Sequence, residues 1–251
     1  MTIIFRQLLE PVSSTYTYLL GCPETRQAVL IDPVLPTWGR DLEVLRALGL
    51  TLAYTLDTHI HADHITAATR LKREAGSRIA HPAVDRLECV DVPVEEGKPL
   101  NLGSLVIEPQ FTPGHTDGHH AYVLGDRAFT GDALLIDGCG RTDFQNGDAP
   151  TLYRSIHEKL FSLPDETLVY PAHDYEGRRV SSIGQEKTRN PRLGGNRPLS
   201  EFVAIMANLR LAYPKFIDYA VPGNRQCGVC PTDVPDDLQQ YCAQIGESKQ
   251  G

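Results

Sequence analysis

Polar and apolar residues alternate through "TYTYLL", and an apolar run recurs in "QAVLIDP"; the turn-rich "GCPET" between them predicts a hairpin near the start of the chain. The period then changes. In "RDLEVLRALGL", Leu42, Val44, Leu45 and Leu48 recur at helical spacing and Gly49 supplies a stop, before "TLAYTLDTH" returns to a short strand. Further along, "ITAATRLKREAG" predicts a helix with a glycine stop, "RIAHP" a strand, and "LVIEPQFTPGHTDGHHAYVLGDRAFTGDALLI" several strands broken by glycine-containing turns. "APTLYRSIHEKLFSLP" predicts a second strong helix and "TLVYPAHD" the strand that follows it. Last, "PLSEFVAIMANLRLAYP" predicts a helix capped by Ser200, with Phe202, Ile205, Met206 and Leu209 on one face.

Strands and helices therefore recur in two similar blocks, the pattern expected of an α/β (α+β) sandwich in which two sheets are faced by helices. No internal repeat or low-complexity linker divides the chain. Its character changes after about residue 175, so residues 1–175 are expected to form the core and 176–251 a helical and irregular segment completing the same single domain.

Composition narrows the partners. The chain has 251 residues, 41% hydrophobic and 22% charged, enough to bury a full core, and its formal charge of -8 argues against a phosphate-backbone binder. Nucleic acid is not an expected partner. The N-terminus lacks the layout of a secretory signal and no apolar run approaches the roughly 20 residues that span a bilayer, so a cytoplasmic protein without membrane contact is expected. Six cysteines are scattered through a chain too large to need disulfide staples, and most are expected to be reduced. Cys227 and Cys230 form a C-x-x-C, but neither a second ligand pair for zinc nor a preceding strand accompanies them.

The chemistry concentrates in "THIHADH", where His59, His61, Asp63 and His64 share one loop after a predicted strand. His115 in "TPGHTDGH", Asp132 in "FTGDALL" and His173 in "YPAHDY" each follow another predicted strand, where a rigid sheet can aim ligands at one point. Singly, each histidine reads as a hydrogen-bonded surface or core residue. Together they form a dense imidazole and carboxylate set suited to zinc, iron or related ions. His81, His119, His120 and His157 have no consistent ligand context. Residue types alone leave one ion or two open.

The order of "THIHADH", "GHT", "GDALL" and "PAHDY" resembles the metallo-β-lactamase superfamily. That resemblance implies an αββα sandwich with its site at one edge of both sheets. A two-metal member would hold one ion with His59, His61 and His115 and the second with Asp63, His64 and His173, bridged by Asp132. Such a centre suits a dinuclear zinc, glyoxalase II-like thioester hydrolase.

The longer segments "GDALLIDGCGRTDFQNGD", "TLYRSIHEKLFSLP", "YPAHDYEGR", "EKTRNPRL" and "EFVAIMANLRL" are similar to the ETHE1-type persulfide dioxygenases, from near residue 12 to about residue 229. This closer resemblance implies one Fe(II) per chain on His59, His115 and Asp132, with His61, Asp63, His64 and His173 orienting ligands and water around it. It further implies oxidation of glutathione persulfide by O2 and water to sulfite and glutathione, in sulfide detoxification, and makes a homodimer plausible. Arg141 and Tyr175, then Arg178, Asn224 and Arg225, are the expected substrate contacts. Cys139, between glycines, is expected in a tight loop near the metal and not as a nucleophile.

Overall fold

The computed structural model describes residues 2–232. Cys242 and the rest of the final segment lie outside the described residues. The first sheet orders its strands β1 (Ile4–Glu10), β2 (Thr15–Gly21), β3 (Gln27–Ile31), β4 (Thr51–Leu56), β5 (Arg78–Pro82) and β6 (Val92–Val94). The second runs from β7 (Leu100–Leu102) through β8 (Leu105–Phe111), β9 (His120–Leu124), β10 (Arg127–Gly131) and β11 (Leu168–Pro171) to β12 (Ser181–Ser182). β1 to β3 pair antiparallel and β3 to β6 parallel; in the second sheet only β10 and β11 are parallel.

Side chains alternate across each strand, and that alternation makes the layers. Tyr18, Leu20, Val29 and Ile31 point between the sheets to meet Ile107, Tyr122, Phe129 and Tyr170. Their neighbours Leu19 and Leu30 point outward, against Leu42 and Leu45 of α1 (Trp38–Ala47) and Leu71 of α2 (Ala68–Ala75). The outer face of the second sheet, with Ala121 and Val169, is covered by Leu152 of α3 (Ala149–Ser155), Ile183 of α4 (Ile183–Arg189) and Phe202 of α5 (Leu199–Ala207). α6 (Ile217–Asn224) closes the described chain. The αββα arrangement is thus the observed one. No helix among the described residues is long and apolar enough to cross a membrane.

Several elements differ from their sequence patterns. α2 starts at Ala68, not at Ile65, because Ile65 O and Ala67 N are engaged with Leu35 and Pro33 and Thr66 N with Asn224. Gly76 supplies its stop, left-handed at φ 69°. In α5 the cap position belongs to Pro198; Ser200 lies within the first turn and makes no cap, because Leu199 has already begun the helix. The strong helix after residue 149 is α3 continued by a π-helical turn, Ile156–Leu160.

The expectation that most cysteines are reduced fails: among the described residues Cys89, Cys227 and Cys230 are all disulfide-bonded. Cys89 and Cys227 form a disulfide across 138 residues, with Cα atoms 6.1 Å apart. Thr69 N and Oγ1 of α2 both donate to Cys227 O, at 3.0 and 2.7 Å, and so seat the turn after α6 beside the loop that carries Cys89. Cys227 bonds Cys89 and not its motif neighbour, while Cys22 and Cys139 are free.

Candidate metal centre and substrate cleft

All the sequence-nominated ligands meet at one edge of the sandwich, just beyond the ends of β4, β8, β10 and β11. The inter-sheet core holds this edge in place: the buried Tyr122 hydroxyl donates to Asp57 O at 2.7 Å and that of Tyr18 to Pro171 O at 2.5 Å. Asp32, left-handed at φ 49° immediately after β3, organises the histidine loop. Its buried carboxylate accepts from Thr58 N at 2.7 Å, Thr58 Oγ1 at 3.0 Å and His61 Nε2 at 3.1 Å.

Those bonds assign the imidazole faces. Thr58 Oγ1 gives its proton to Asp32, so at 2.8 Å it accepts from His59 Nδ1–H and leaves the Nε2 lone pair facing the site. His115 Nδ1 donates to Arg141 O at 2.7 Å, freeing its Nε2, which lies 3.5 Å from Asp132 Oδ2. One ligand atom from each of His59, His115 and Asp132 falls within 4.8 Å of the others. Burial and the surrounding imidazoles hold His59 well below the usual histidine range, so it is neutral and ready to donate a lone pair.

The remaining residues gather beside this trio. His64 Nδ1 approaches Asp63 Oδ2 at 2.9 Å, and His173 Nε2 lies 3.4 Å from Asp63 and 3.6 Å from Asp132 Oδ1. Burial opposes the charge on Asp63, yet the His64 and His173 imidazoles hold its carboxyl well below the usual range. His61 is different: against the penalty of burial, its contact with Asp32 lifts it to about 9 in the metal-free protein. His61, Asp63 and His64 form a second group with ligand atoms within 4.8 Å.

Three buried atoms at this edge, His61 Nδ1, His64 Nε2 and Asp132 Oδ1, have no hydrogen-bond partner. Each such atom costs about 1–3 kcal/mol unless something occupies the site. The donor set, its unsatisfied atoms and the outward-facing Nε2 atoms fit a bound metal ion.

A cleft of about 520 Å³ opens over the trio. Its lining includes the charged Arg141, Arg192 and Lys215 and the apolar Val12, Leu211 and Phe216. Asp143 grips the Arg141 guanidinium through two bonds of 2.7 and 2.8 Å, while Nη1 donates to Ala212 O. Tyr175 stacks parallel to His173, ring centres 5.9 Å apart and planes within 2°. Burial pushes the Cys139 thiol up to about 11, so it is no nucleophile at neutral pH.

Residues 11–94 and 90–173 match the metallo-beta-lactamase superfamily. A human protein described as persulfide dioxygenase ETHE1, mitochondrial, is 51% identical over 231 residues, covering 90% of this chain and 89% of its own. The chain belongs to the ETHE1-type persulfide dioxygenases. The crystal structure of ETHE1 from Myxococcus xanthus agrees with a TM-score of 0.88 at 55% identity, over 90% of this chain and 99% of that one. A hydroxyacylglutathione hydrolase from Methylococcus capsulatus is 38% identical over 168 residues, only 65% of this chain and 64% of its own. The hydrolase likeness is therefore both weaker and shorter.

Not every expected substrate residue of this persulfide dioxygenase family member reaches the cleft. Arg141 and Tyr175 line it; Arg178, Asn224 and Arg225 do not. Arg178 is pinned by Asp174 at 2.7 Å and Asp137 at 2.6 Å, tying the loop after β11 to the loop after β10. Arg225 is exposed on the turn after α6. Asn224 is buried at 3% exposure and straps the histidine loop: Oδ1 accepts from Thr66 N at 2.9 Å, and Nδ2 donates to His61 O and His64 O at 2.9 and 2.8 Å. The sequence patterns do not point to Asp32, Arg192 or Lys215, and they place Asn224 at the substrate instead of behind the histidine loop. Only Asp32, at a strand end in "LIDP", lay where a loop-organising carboxylate is expected.

Proposed function

We propose that this protein oxidises glutathione persulfide with O2 and water to sulfite and glutathione, using one Fe(II) per chain held by His59, His115 and Asp132. The division among the histidines carries the reading. His59, His115 and Asp132 each bring one ligand atom within 4.8 Å of the others, with both imidazoles bonded through Nδ1, whereas His61, bonded through Nε2 to Asp32, falls in a separate group with Asp63 and His64. Fe(II) held by two imidazoles and a carboxylate would supply the redox chemistry with O2 that zinc would not.

The chain's own residues do the rest. Thr58 and Arg141 O orient the two imidazoles, and Asp63, His64 and His173 offer hydrogen-bonding groups to water beside Asp132. Arg192 and Lys215 place positive charge on the cleft wall, matched to the two carboxylates of a glutathione conjugate. Val12, Leu211 and Phe216 add apolar surface to the cleft, suited to the carbon and sulfur of such a conjugate. Since Leu211, Ala212, Lys215 and Phe216 line this cleft, the segment after residue 175 completes the substrate pocket of a single domain.

The second group, His61, Asp63 and His64, supports one rival, a dinuclear zinc thioester hydrolase. Metal analysis of anaerobically purified protein, with O2 uptake and sulfite release measured on glutathione persulfide, separates the two. One iron per chain and stoichiometric O2 consumption are expected. Two zinc ions and hydrolysis of S-lactoylglutathione without O2 would overturn the dioxygenase reading. Asp132→Ala should lose iron while His61→Ala retains it, and iron kept after the Asp132 change would remove that ligand assignment.

A further inference from the structure

His119 lies outside the metal-ligand pattern, yet it sits beneath it. The residue precedes β9, is fully buried, and its ring centre lies 5.0 Å from that of His59 and 6.2 Å from that of His115. Its Nε2 accepts the backbone N–H of Asp132 at 3.1 Å. An Nε2 that accepts carries no proton, so Nδ1–H donates to Thr112 Oγ1 at 2.9 Å. Thr112 N also donates to His119 O at 2.9 Å, which fixes the imidazole to the end of β8 by two bonds.

The surroundings leave the ring one place. Gly131, at φ 51°, brings the chain against it: a Cβ there would lie 2.4 Å from His119 Nε2 and 2.9 Å from Thr58 Oγ1. Any larger residue at 131 would strike both the imidazole and the hydroxyl that orients His59. Asp132 O in turn accepts from Gly140 N at 2.7 Å, so both main-chain polar groups of Asp132 are held. Of these two bonds, only the one to N–H comes from a side chain.

We propose that His119 is a positioning residue for the metal centre: as a neutral imidazole it anchors the Asp132 main chain and so sets how the carboxylate faces His59 and His115. The inference rests on those three residues holding the metal. Its physical content is directional. A group of similar size without an acceptor at the Nε2 position fills the space but leaves Asp132 N–H buried and unpaired, free to rotate the turn.

Glutamine and asparagine separate the two roles. The amide oxygen of glutamine stands as many bonds from Cβ as Nε2 does, whereas that of asparagine matches Nδ1. Titration of the metal-free protein with Co(II), followed by its d–d absorption, reads affinity and ligand geometry without turnover. His119→Asn is expected to weaken Co(II) binding about 10- to 100-fold and alter the band pattern, while His119→Gln stays within a few-fold of wild type. Thr112→Val, which removes the acceptor for Nδ1–H, is expected to weaken binding in the same direction by a smaller factor. Thermal melting of the metal-free variants controls for loss of fold.

Wild-type affinity in His119→Asn would overturn the proposal, as would a glutamine variant that loses metal as fully as asparagine. Should His119→Asn fail to fold, unchanged affinity in Thr112→Val overturns it instead. Asp132→Ala is the control on the underlying assignment. If that change leaves Co(II) affinity intact, the ligand set has failed; if it abolishes binding while the His119 and Thr112 variants bind normally, only the positioning role has.

Discussion

Removing the Asn224 side chain should loosen the histidine loop without touching substrate. Asn224→Ala deletes three hydrogen bonds, from Thr66 N and to His61 O and His64 O, all buried. At about 1 kcal/mol for each bond, the loss is about 3 kcal/mol, and buried groups left unpaired push it higher. For a chain of 251 residues this corresponds to a fall in Tm of about 6–12 °C, at about 2–4 °C per kcal/mol. Asn224→Asp is expected to do no better: it keeps an acceptor for Thr66 N but turns an anion toward two carbonyl oxygens. Melting of the metal-free and metal-loaded proteins, with metal content measured after dialysis, tests both. A Tm within about 2 °C of wild type, together with a raised KM for glutathione persulfide, would refute the strap and return Asn224 to the substrate.

Three further outcomes follow from the same geometry. Cys89→Ser removes a crosslink closing a loop of 138 residues and should cost about 2–5 kcal/mol in urea unfolding, with variant and wild type unfolding alike once both are reduced; coincident curves for the oxidised wild type and variant would show the bridge to be inconsequential. His61 is raised from 6.5 to about 9 by folding, so its contribution to the stability of the metal-free protein is complete below about pH 6.5 and lost as pH rises toward 9; urea midpoints across that range should fall, and fall less in His61→Gln. Arg192→Met and Lys215→Met should each raise KM for glutathione persulfide about fivefold with kcat little changed, the value of one partly solvated charge contact, whereas an equal loss in kcat would assign them to the chemical step.

Much of the site was written in short stretches of chain. His59, His61, Asp63 and His64 share one loop, and His115, Asp132 and His173 each follow a recognisable strand, so local order alone nominated all seven. The helices at 38–47 and 149–160 were legible because their apolar residues recur at the helical period over two or more turns. β1 escaped notice because it is an edge strand with a mostly half-buried, non-alternating pattern. α6 escaped because Pro222 interrupts it.

What the amino-acid order determined by itself was the set of ligand types, the layered class and the family, since these depend on residue identity at fixed spacings. What only the tertiary structure decided was the use of each group. Asp32 and His61 meet across 29 residues, His119 and Asp132 across 13, Asn224 and the histidine loop across about 160, and Cys89 and Cys227 across 138. No local period encodes such contacts; they arise when two sheets pack and bring their strand ends to one edge. A hydrogen bond at one nitrogen of an imidazole determines which nitrogen is left for metal, and that choice appears only when its partner, distant along the chain, is in place.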